Sequence, residues 1–275
     1  MKIWEVLIYG LVAGLTGLLP VSFSGHAAVL QDAFALSPLT QGGGLYVRAA
    51  ITLGLSAALV LAFPGELQLT CGELARRPQR GKRARQPSPR RRAVLMGLLA
   101  LPIGLLSLIW CAAAERITRL SLIAAFFCLN GLILFAAGRP GGQKDARALM
   151  LPDALLAGAT RLAAVLPGLS PLGLTLAVCR LRDLRTDFAL RFTAMLTLGF
   201  SLCEFVYRLL RAVIVGTFSA SLWLPMLVAL VASTVAGYFA LQYLKYLLHR
   251  EKLRVFSYYC WDAAVIALIL ALINA

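Results

Sequence analysis

The chain has 275 residues, of which 60% are hydrophobic and 14% are charged, and its formal net charge is +15. A soluble domain of this length needs far more polar surface. This composition and a mean hydropathy of +0.81 therefore exclude a soluble domain and indicate an integral membrane protein. Nine of the 27 Lys and Arg residues lie in residues 76–92. We interpret this stretch as a cytoplasmic loop under the positive-inside rule rather than a nucleic-acid arm, because it lacks interleaved aromatic residues for base stacking.

In chain order, the first element is an apolar segment over residues 3–36 that is interrupted at Pro20. Ser22, Ser24 and Gly25 follow the proline, so small and hydroxyl-bearing residues occupy the turn. Irregular backbone at membrane depth requires protein or a polar cavity to satisfy its N–H and C=O groups. We therefore predict a re-entrant helix–turn–helix hairpin that enters and leaves the membrane on the same face.

Six further stretches are apolar over about the 20 residues that cross a hydrocarbon core. They are residues 44–63, 95–114, 120–138, 188–210, 222–244 and 255–274. A second interrupted segment, residues 151–180, contains Pro167 and Pro171 and predicts a second re-entrant hairpin. With residues 76–92 placed inside, the other basic clusters also fall on the inner face, which supports this count of spans.

The predicted fold is an all-α integral membrane protein with six transmembrane helices and two re-entrant helix hairpins. It forms a single membrane domain over residues 1–275, with halves at about 1–138 and 150–275 and a basic cytoplasmic loop at 64–92. Each half holds one hairpin and three spans. Because three crossings are an odd number, the second half begins on the opposite face of the membrane and is inverted relative to the first. Paired interrupted segments in an inverted repeat indicate a binding site near the midplane.

The two turns supply candidate anion-binding groups. Half-helices that begin after the prolines direct backbone N–H groups at a common point. The hydroxyl groups of Ser22, Ser170 and Thr175 lie in or just after these turns, where Gly25 and Gly168 allow a close approach of the backbone. The same hydroxyls could instead satisfy the interrupted backbone, so both interpretations stay open.

Charged residues inside the apolar segments are functional hypotheses by default. Arg161, in the first arm of the second hairpin, is a candidate cation for a phosphate group; the alternative is that its side chain extends to the membrane surface. The depths of the other charges predict the ion pairs Arg48–Glu204 and Arg191–Asp262, with Glu204–Arg208 as a competing pair at i,i+4. We expect a structural role for these pairs more than a catalytic one.

Two motifs of the chain resemble those of the undecaprenyl-pyrophosphate phosphatase family of the bacitracin-resistance type. The first family motif, E-G-x-T-E-F-L-P-V-S-S-S/T-G-H, is similar to residues 13–26, and the second, P-G-x-S-R-S-G-x-T, to residues 167–175. Residues 191–196 look like a third family stretch, R-F-S-F-L-L. The chain departs from the family at four positions: the motif glutamates fall on Ala13 and Gly17, a motif serine on Phe23 and the motif arginine on Pro171.

The resemblance implies a multi-pass enzyme of the bacterial inner membrane that hydrolyses undecaprenyl pyrophosphate in the lipid-carrier cycle of envelope synthesis. His26 and Ser24 are its expected catalytic residues, with the alternative that His26 only closes the turn through hydrogen bonds. The expected phosphate-binding residues are Ser22, Gly25, Arg161, Gly168, Ser170 and Thr175. The family's glutamates hold Mg²⁺ or Ca²⁺. Because Ala13 and Gly17 lack side-chain ligands, we predict no metal site, and expect Mg²⁺ or Ca²⁺ only if the family's activity persists.

The lost motif residues leave two other functions open. The chain could bind or translocate a lipid phosphate as a catalytically degenerate, flippase-like relative, or it could be a structural membrane partner with a vestigial site. Its expected partners are a polyprenyl phosphate or pyrophosphate lipid and the bilayer, with no nucleic acid and with a homodimer left open.

Overall fold

A computed structural model describes residues 1–65, 72, 88–139, 142–216 and 218–274. Regular structure in these residues is helical, apart from one isolated bridge pairing between Lys144 and Leu184. The helices are α1 (Ile3–Gly17), α2 (Phe23–Phe34), α3 (Gly44–Ala62), α4 (Pro89–Leu105), α5 (Leu108–Ala114), α6 (Leu120–Ala137), α7 (Leu151–Ala164), α8 (Pro171–Leu181), α9 (Thr186–Val215), α10 (Trp223–His249) and α11 (Val255–Ile273), with a 3-10 turn at Ala220–Leu222. The prediction of an all-α protein is confirmed.

Helices α1 and α2 form one hairpin, and α7 and α8 form a second. At the open end of the first, the Tyr9 hydroxyl donates a hydrogen bond to the Ser37 carbonyl at 3.1 Å. At the open end of the second, Arg182 Nε donates to Asp153 Oδ1 at 2.6 Å. A helix of 15 residues such as α1 is about 22 Å long, which is shorter than a hydrocarbon core. Each pair of helices therefore reverses the direction of the chain, and the placement of both hairpins as re-entrant segments stays a prediction.

Four helical segments of the described chain are long and apolar enough to cross a membrane: α3, α6, α11, and α10 together with the 3-10 turn before it. They coincide with four of the six predicted spans. The predicted span at 188–210 lies in α9, a helix of 30 residues that carries several charges and is not among the four. The chain is thus a multi-pass membrane protein, and the inverted relation of its halves stays a prediction.

The predicted span at 95–114 is not one continuous helix. Helices α4 and α5 meet at an angle of 46°. The bend follows Pro102, and the backbone tightens there because the Leu106 amide bonds to the carbonyl of Ile103 and the Ser107 amide to that of Gly104. The helix axis therefore turns at residues 106–107, and α5 ends beside the interior of the protein at Glu115.

Close helix packing positions the two hairpins. Helix α1 packs along α10, and α3 lies against both α10 and α9. A Cβ added at Gly14 would lie 2.5 Å from Ala236 Cβ, so only glycine allows α1 and α10 to approach this closely. On the other side α6 packs on α11 and α4 on α7. Most of the predicted basic loop at 64–92 lies outside the described residues.

Candidate functional site

The turns of the two hairpins meet in the protein interior and are joined by hydrogen bonds. Ser22 is the N-cap of α2, and its Oγ also accepts a hydrogen bond from the Gly168 amide of the other hairpin at 3.1 Å. Ser170 is the N-cap of α8, and its hydroxyl donates to the Leu19 carbonyl of the first hairpin at 3.2 Å. Each serine therefore begins its own helix and also binds the opposite turn.

Asn130 of α6 completes this contact between the turns. Its Nδ2 donates to the Pro20 carbonyl at 2.9 Å, and its Oδ1 accepts from the Ser170 amide at 3.0 Å. Asn130 is fully buried. One side chain thus satisfies an interrupted backbone group from each hairpin, as irregular backbone at membrane depth requires. We call Ser22, Asn130, Gly168 and Ser170 the tip network.

His26 lies behind the tip network. Its Nδ1 is 2.7 Å from the Ser22 carbonyl oxygen, and its Nε2 is 2.9 Å from the Tyr259 hydroxyl of α11. The ring stacks on Tyr259 and meets Phe127 edge to face. Both ring nitrogens therefore have partners within the protein, which favours the interpretation that His26 closes the turn.

A cavity of about 110 Å³ lies on the other side of the turns. Gly17 and Ser24 of the first hairpin and Pro171 of the second line it, together with residues of α3, α5 and α9. This volume has room for several water molecules or one phosphate group. The cavity is thus bounded by the hairpin turns on one side and by transmembrane helices on the other.

Two carboxylates hold four guanidinium groups in and beside this cavity. Glu115 contacts Arg208 and Arg211, each at 2.6 Å, and Arg48 at 3.4 Å. Glu204 contacts Arg208 at 2.7 Å and Arg161 at 2.5 Å. All but Arg211 line the cavity, and we call these five residues the charged wall: Arg48, Glu115, Arg161, Glu204 and Arg208. With Arg211, four guanidinium groups face two carboxylates, which leaves a net charge of +2.

The sequence-predicted site residues divide between these two regions. Ser24 and Arg161 line the cavity. Gly25 and His26 lie with the tip network of Ser22, Gly168 and Ser170. The Thr175 hydroxyl donates to the Pro171 carbonyl at 2.9 Å and lies 2.9 Å from the Thr160 hydroxyl. The structure therefore brings all the turn residues together, but only Ser24 and Arg161 face the cavity.

The ion-pair predictions are partly wrong. Arg48 takes Glu115 as its carboxylate partner, not the predicted Glu204, because the bend between α4 and α5 brings Glu115 to the cavity. The predicted i,i+4 contact between Glu204 and Arg208 is confirmed. Arg161 does not extend to the surface, because its guanidinium is bound to Glu204 and the residue is only 8% exposed.

The second predicted pair joined Arg191 to Asp262. Asp262 is an exposed residue of α11, and α11 packs mainly on α6 rather than on α9, the helix of Arg191. Sequence reasoning also missed three contributors to the cluster: Glu115, Arg211 and, as a partner of Glu115, Arg208. Their signal in the sequence was a charge near the end of an apolar stretch, which by itself is typical of any residue at a membrane interface.

The described residues of the cavity do not fit a divalent cation. The positions that the family resemblance assigns to metal-binding glutamates hold Ala13, which is fully buried, and Gly17, and neither has a side-chain oxygen. In the part of the chain that the structure describes, no group of three or more His, Cys, Asp and Glu residues is arranged so that it could hold a metal ion. The carboxylates of Glu115 and Glu204 are already bound by guanidinium groups, so hard oxygen ligands for Mg²⁺ or Ca²⁺ are not available there.

A multi-pass helical protein in which two helix hairpins meet beside a guanidinium-rich cavity belongs to the class of membrane proteins equipped to receive an anionic head group. The chain belongs to the BacA family: the family model described as bacitracin resistance protein BacA matches residues 6–266.

Curated relatives match along nearly the whole chain. A protein of Carboxydothermus hydrogenoformans named undecaprenyl-diphosphatase is 31% identical over 273 residues, which cover 98% of each chain. Proteins with the same name from Methanobrevibacter smithii and Kineococcus radiotolerans are each 30% identical. The match to the Methanobrevibacter smithii protein covers 97% of this chain and 96% of the relative. The match to the Kineococcus radiotolerans protein covers 100% of this chain and 96% of the relative.

Proposed function

We propose that the chain is a phosphatase of a polyprenyl pyrophosphate lipid carrier, embedded in the plasma membrane of a bacterial cell and acting in envelope synthesis. The relatives named undecaprenyl-diphosphatase support the substrate class. The observation that carries the proposal is the cavity beside the hairpin turns, in which guanidinium groups outnumber carboxylates. A buried excess of positive charge stabilises a multiply charged phosphate group.

The proposal gives the charged wall, Ser24 and His26 different roles in this reaction. Water adds to the terminal phosphorus, the P–O–P bond breaks, and inorganic phosphate and the polyprenyl phosphate are the two products. Guanidinium groups of the charged wall neutralise the oxygens on which charge develops. Ser24 is the predicted catalytic residue that lines the cavity, so its hydroxyl is the group placed to contact the head group. His26 acts through the turn, because its ring nitrogens bind Ser22 and Tyr259.

Phosphate release from undecaprenyl pyrophosphate by the purified protein in detergent tests this proposal. We expect Ser24→Ala to lower kcat by about 100-fold, the size of losing one positioned donor. His26→Ala should keep most of the activity but lower the melting temperature, because it removes two hydrogen bonds and an aromatic contact of the turn. Together the two variants distinguish a role in catalysis at the cavity from a role in the stability of the turn.

Other outcomes would change the proposal in different ways. Binding of the lipid without release of phosphate would support the alternative of a degenerate, flippase-like lipid-phosphate binder. If the folded protein neither binds nor hydrolyses the lipid, the proposed substrate is wrong. A loss of activity in His26→Ala at unchanged melting temperature would return the catalytic role to His26.

A further inference from the structure

We infer that the head group is bound in the cavity without a divalent cation, by the guanidinium groups of Arg48 and Arg161, while Arg208 positions the two carboxylates. The inference rests on the proposed function, since the ligand is the pyrophosphate group of the proposed substrate. It assigns the anion site to α3 and α7, away from the positions at which the family's motifs place metal-binding glutamates and the motif arginine.

At the hairpin turns the cavity lacks the motif side chains that the family resemblance assigns to metal and phosphate binding. Gly17 has no side chain, and a Cβ added there would lie 3.0 Å from Leu55 Cδ1. Phe23 and Pro171, which replace a motif serine and the motif arginine, are apolar and line the same side. An ionic head group in the cavity therefore finds its guanidinium partners at the charged wall, on α3, α9 and the hairpin arm α7, rather than at the motif positions of the turns.

The charged wall is costly to bury and is not electrically balanced. Arg161 and Arg208 are only 8% and 5% exposed. Burial of an ion costs several kcal/mol after relaxation, and a carboxylate partner offsets this cost only when charges and hydrogen bonds match. In the charged wall three guanidinium groups face the two carboxylates of Glu115 and Glu204, which leaves one guanidinium charge uncompensated. The fourth guanidinium, that of Arg211, is 29% exposed and lies outside the cavity. An anionic head group supplies the missing compensation.

The hydrogen bonds distinguish the arginines that hold the wall from those that can bind a ligand. Arg208 donates through Nε, Nη1 and Nη2 to the two carboxylates, so it connects Glu115 with Glu204. Arg161 uses Nη2 for Glu204, and the Arg48 contact with Glu115 is the longest of the cluster at 3.4 Å. Since a guanidinium carries five N–H donors, Arg48 and Arg161 retain donors that can bind phosphate oxygens in the cavity.

Arg211 provides a matched control. Like Arg48 it contacts Glu115, but its side chain is 29% exposed and it is not among the residues that line the cavity in the described part of the chain. Removal of Arg48 leaves Glu115 bound to Arg208 and Arg211, and removal of Arg161 leaves Glu204 bound to Arg208. Neither change strands a buried carboxylate, so Arg48→Gln and Arg161→Gln are expected to fold.

The test is the affinity of the purified protein for farnesyl pyrophosphate in detergent, measured by calorimetry with excess EDTA and again with Mg²⁺ or Ca²⁺. We expect the dissociation constant to change by less than about threefold between these conditions. In EDTA, Arg48→Gln and Arg161→Gln should each weaken binding by about tenfold or more, as expected for loss of a charge-assisted hydrogen bond, whereas Arg211→Gln should change it by less than about twofold. The dissociation constant of Arg161→Lys should lie between those of the wild-type protein and Arg161→Gln, because lysine keeps the charge but not the planar array of donors.

Binding that disappears in EDTA and returns with Mg²⁺ would overturn the inference and leave the proposed function intact. Metal-independent binding that neither glutamine variant weakens would also overturn it, because the head group would then lie elsewhere. A folded wild-type protein that binds farnesyl and undecaprenyl pyrophosphate under neither condition would contradict the proposed function itself. The melting temperature of each variant, measured beside the titration, separates a lost contact from a lost fold.

Discussion

The tip network and the charged wall lie on two sides of the same hairpin turns, yet they are built from different residues. The tip network joins backbone groups through neutral side chains, and Ser22, Asn130 and Ser170 are fully buried. The charged wall joins side chains to side chains through ions, and the cavity lies beside it. The first arrangement leaves its polar groups satisfied, whereas the second leaves an excess of positive charge.

This difference explains which residues of the family motifs the chain keeps. Ser22, Gly25 and Ser170, which match the family, hold the turns together. Gly17, Phe23 and Pro171, which do not match, line the cavity. The motifs therefore combine two roles. In this chain the residues that join the turns are retained, whereas three motif positions at the cavity have changed and Ser24 is kept there. A protein can keep a fold and change the chemistry of its site in this way.

The sharpest test of the tip network is Asn130→Ala. The change leaves the Pro20 carbonyl and the Ser170 amide buried without their partner, and we expect a loss of about 3 kcal/mol of stability. Thermal unfolding in detergent measures it. Asn274→Ala is the control, because Asn274 is exposed and its side-chain amide donates a hydrogen bond to the exposed side chain of Asp32. Equal melting temperatures for the two variants would show that the turns do not depend on this side chain.

Gly25→Ala tests the close contact between the turns. A Cβ at this position would lie 2.5 Å from Phe127 Cζ and 2.9 Å from Gly168 Cα. Overpacking of this kind should cost about 2 kcal/mol. Gly17→Ala is the comparison on the cavity side, where the new Cβ meets only the flexible end of Leu55 and the neighbouring Phe23. We expect little change in its melting temperature, and a larger loss in Gly17→Ala than in Gly25→Ala would contradict the division between fold and cavity.

The smallest effect distinguishes two serines of one turn. Ser22 Oγ accepts hydrogen bonds from the amides of Gly25 and Gly168, so Ser22→Ala should cost about 1.5 kcal/mol. Ser24 is half-buried at the cavity and contacts only the Ser22 hydroxyl, at 3.3 Å. Ser24→Ala should therefore change stability by less than about 0.5 kcal/mol. Thermal unfolding and phosphate release are measured for both variants. The two measurements show whether Ser22 determines stability while Ser24 determines activity.

Sequence patterns predicted the features that depend on local chemistry. Pro20 and Pro167 within apolar segments indicated both hairpins, because a proline in a helix interior removes a backbone hydrogen bond and kinks or ends the helix. The four apolar spans followed from their length and composition. The bend at residues 106–107 was missed, since Pro102 alone predicts neither its angle nor its direction.

The charged wall could not be predicted to the same degree. Arg48, Glu115 and Glu204 lie far apart in sequence, and three-dimensional packing decides which carboxylate each arginine contacts. Depth along a span correctly indicated that charges of α3 and α9 lie at a similar level. Glu115 lies just beyond the predicted span at 95–114, and its position in the sequence does not indicate a contact with Arg48. The Glu204–Arg208 contact was predictable because it lies within one helical turn.

The pairing of Arg48 with a residue of a later helix also affects how the protein is made. Helix α3 leaves the ribosome before Glu115 and Glu204 have been synthesised, so it enters the bilayer with an arginine that has no counter-ion. Its remaining apolar residues are sufficient for insertion, because one arginine costs about 3 kcal/mol at most in this process. Helix α3 packs mainly against α9 and α10, which are synthesised after it, so these contacts and the Arg48–Glu115 pair form only once the later helices have been made.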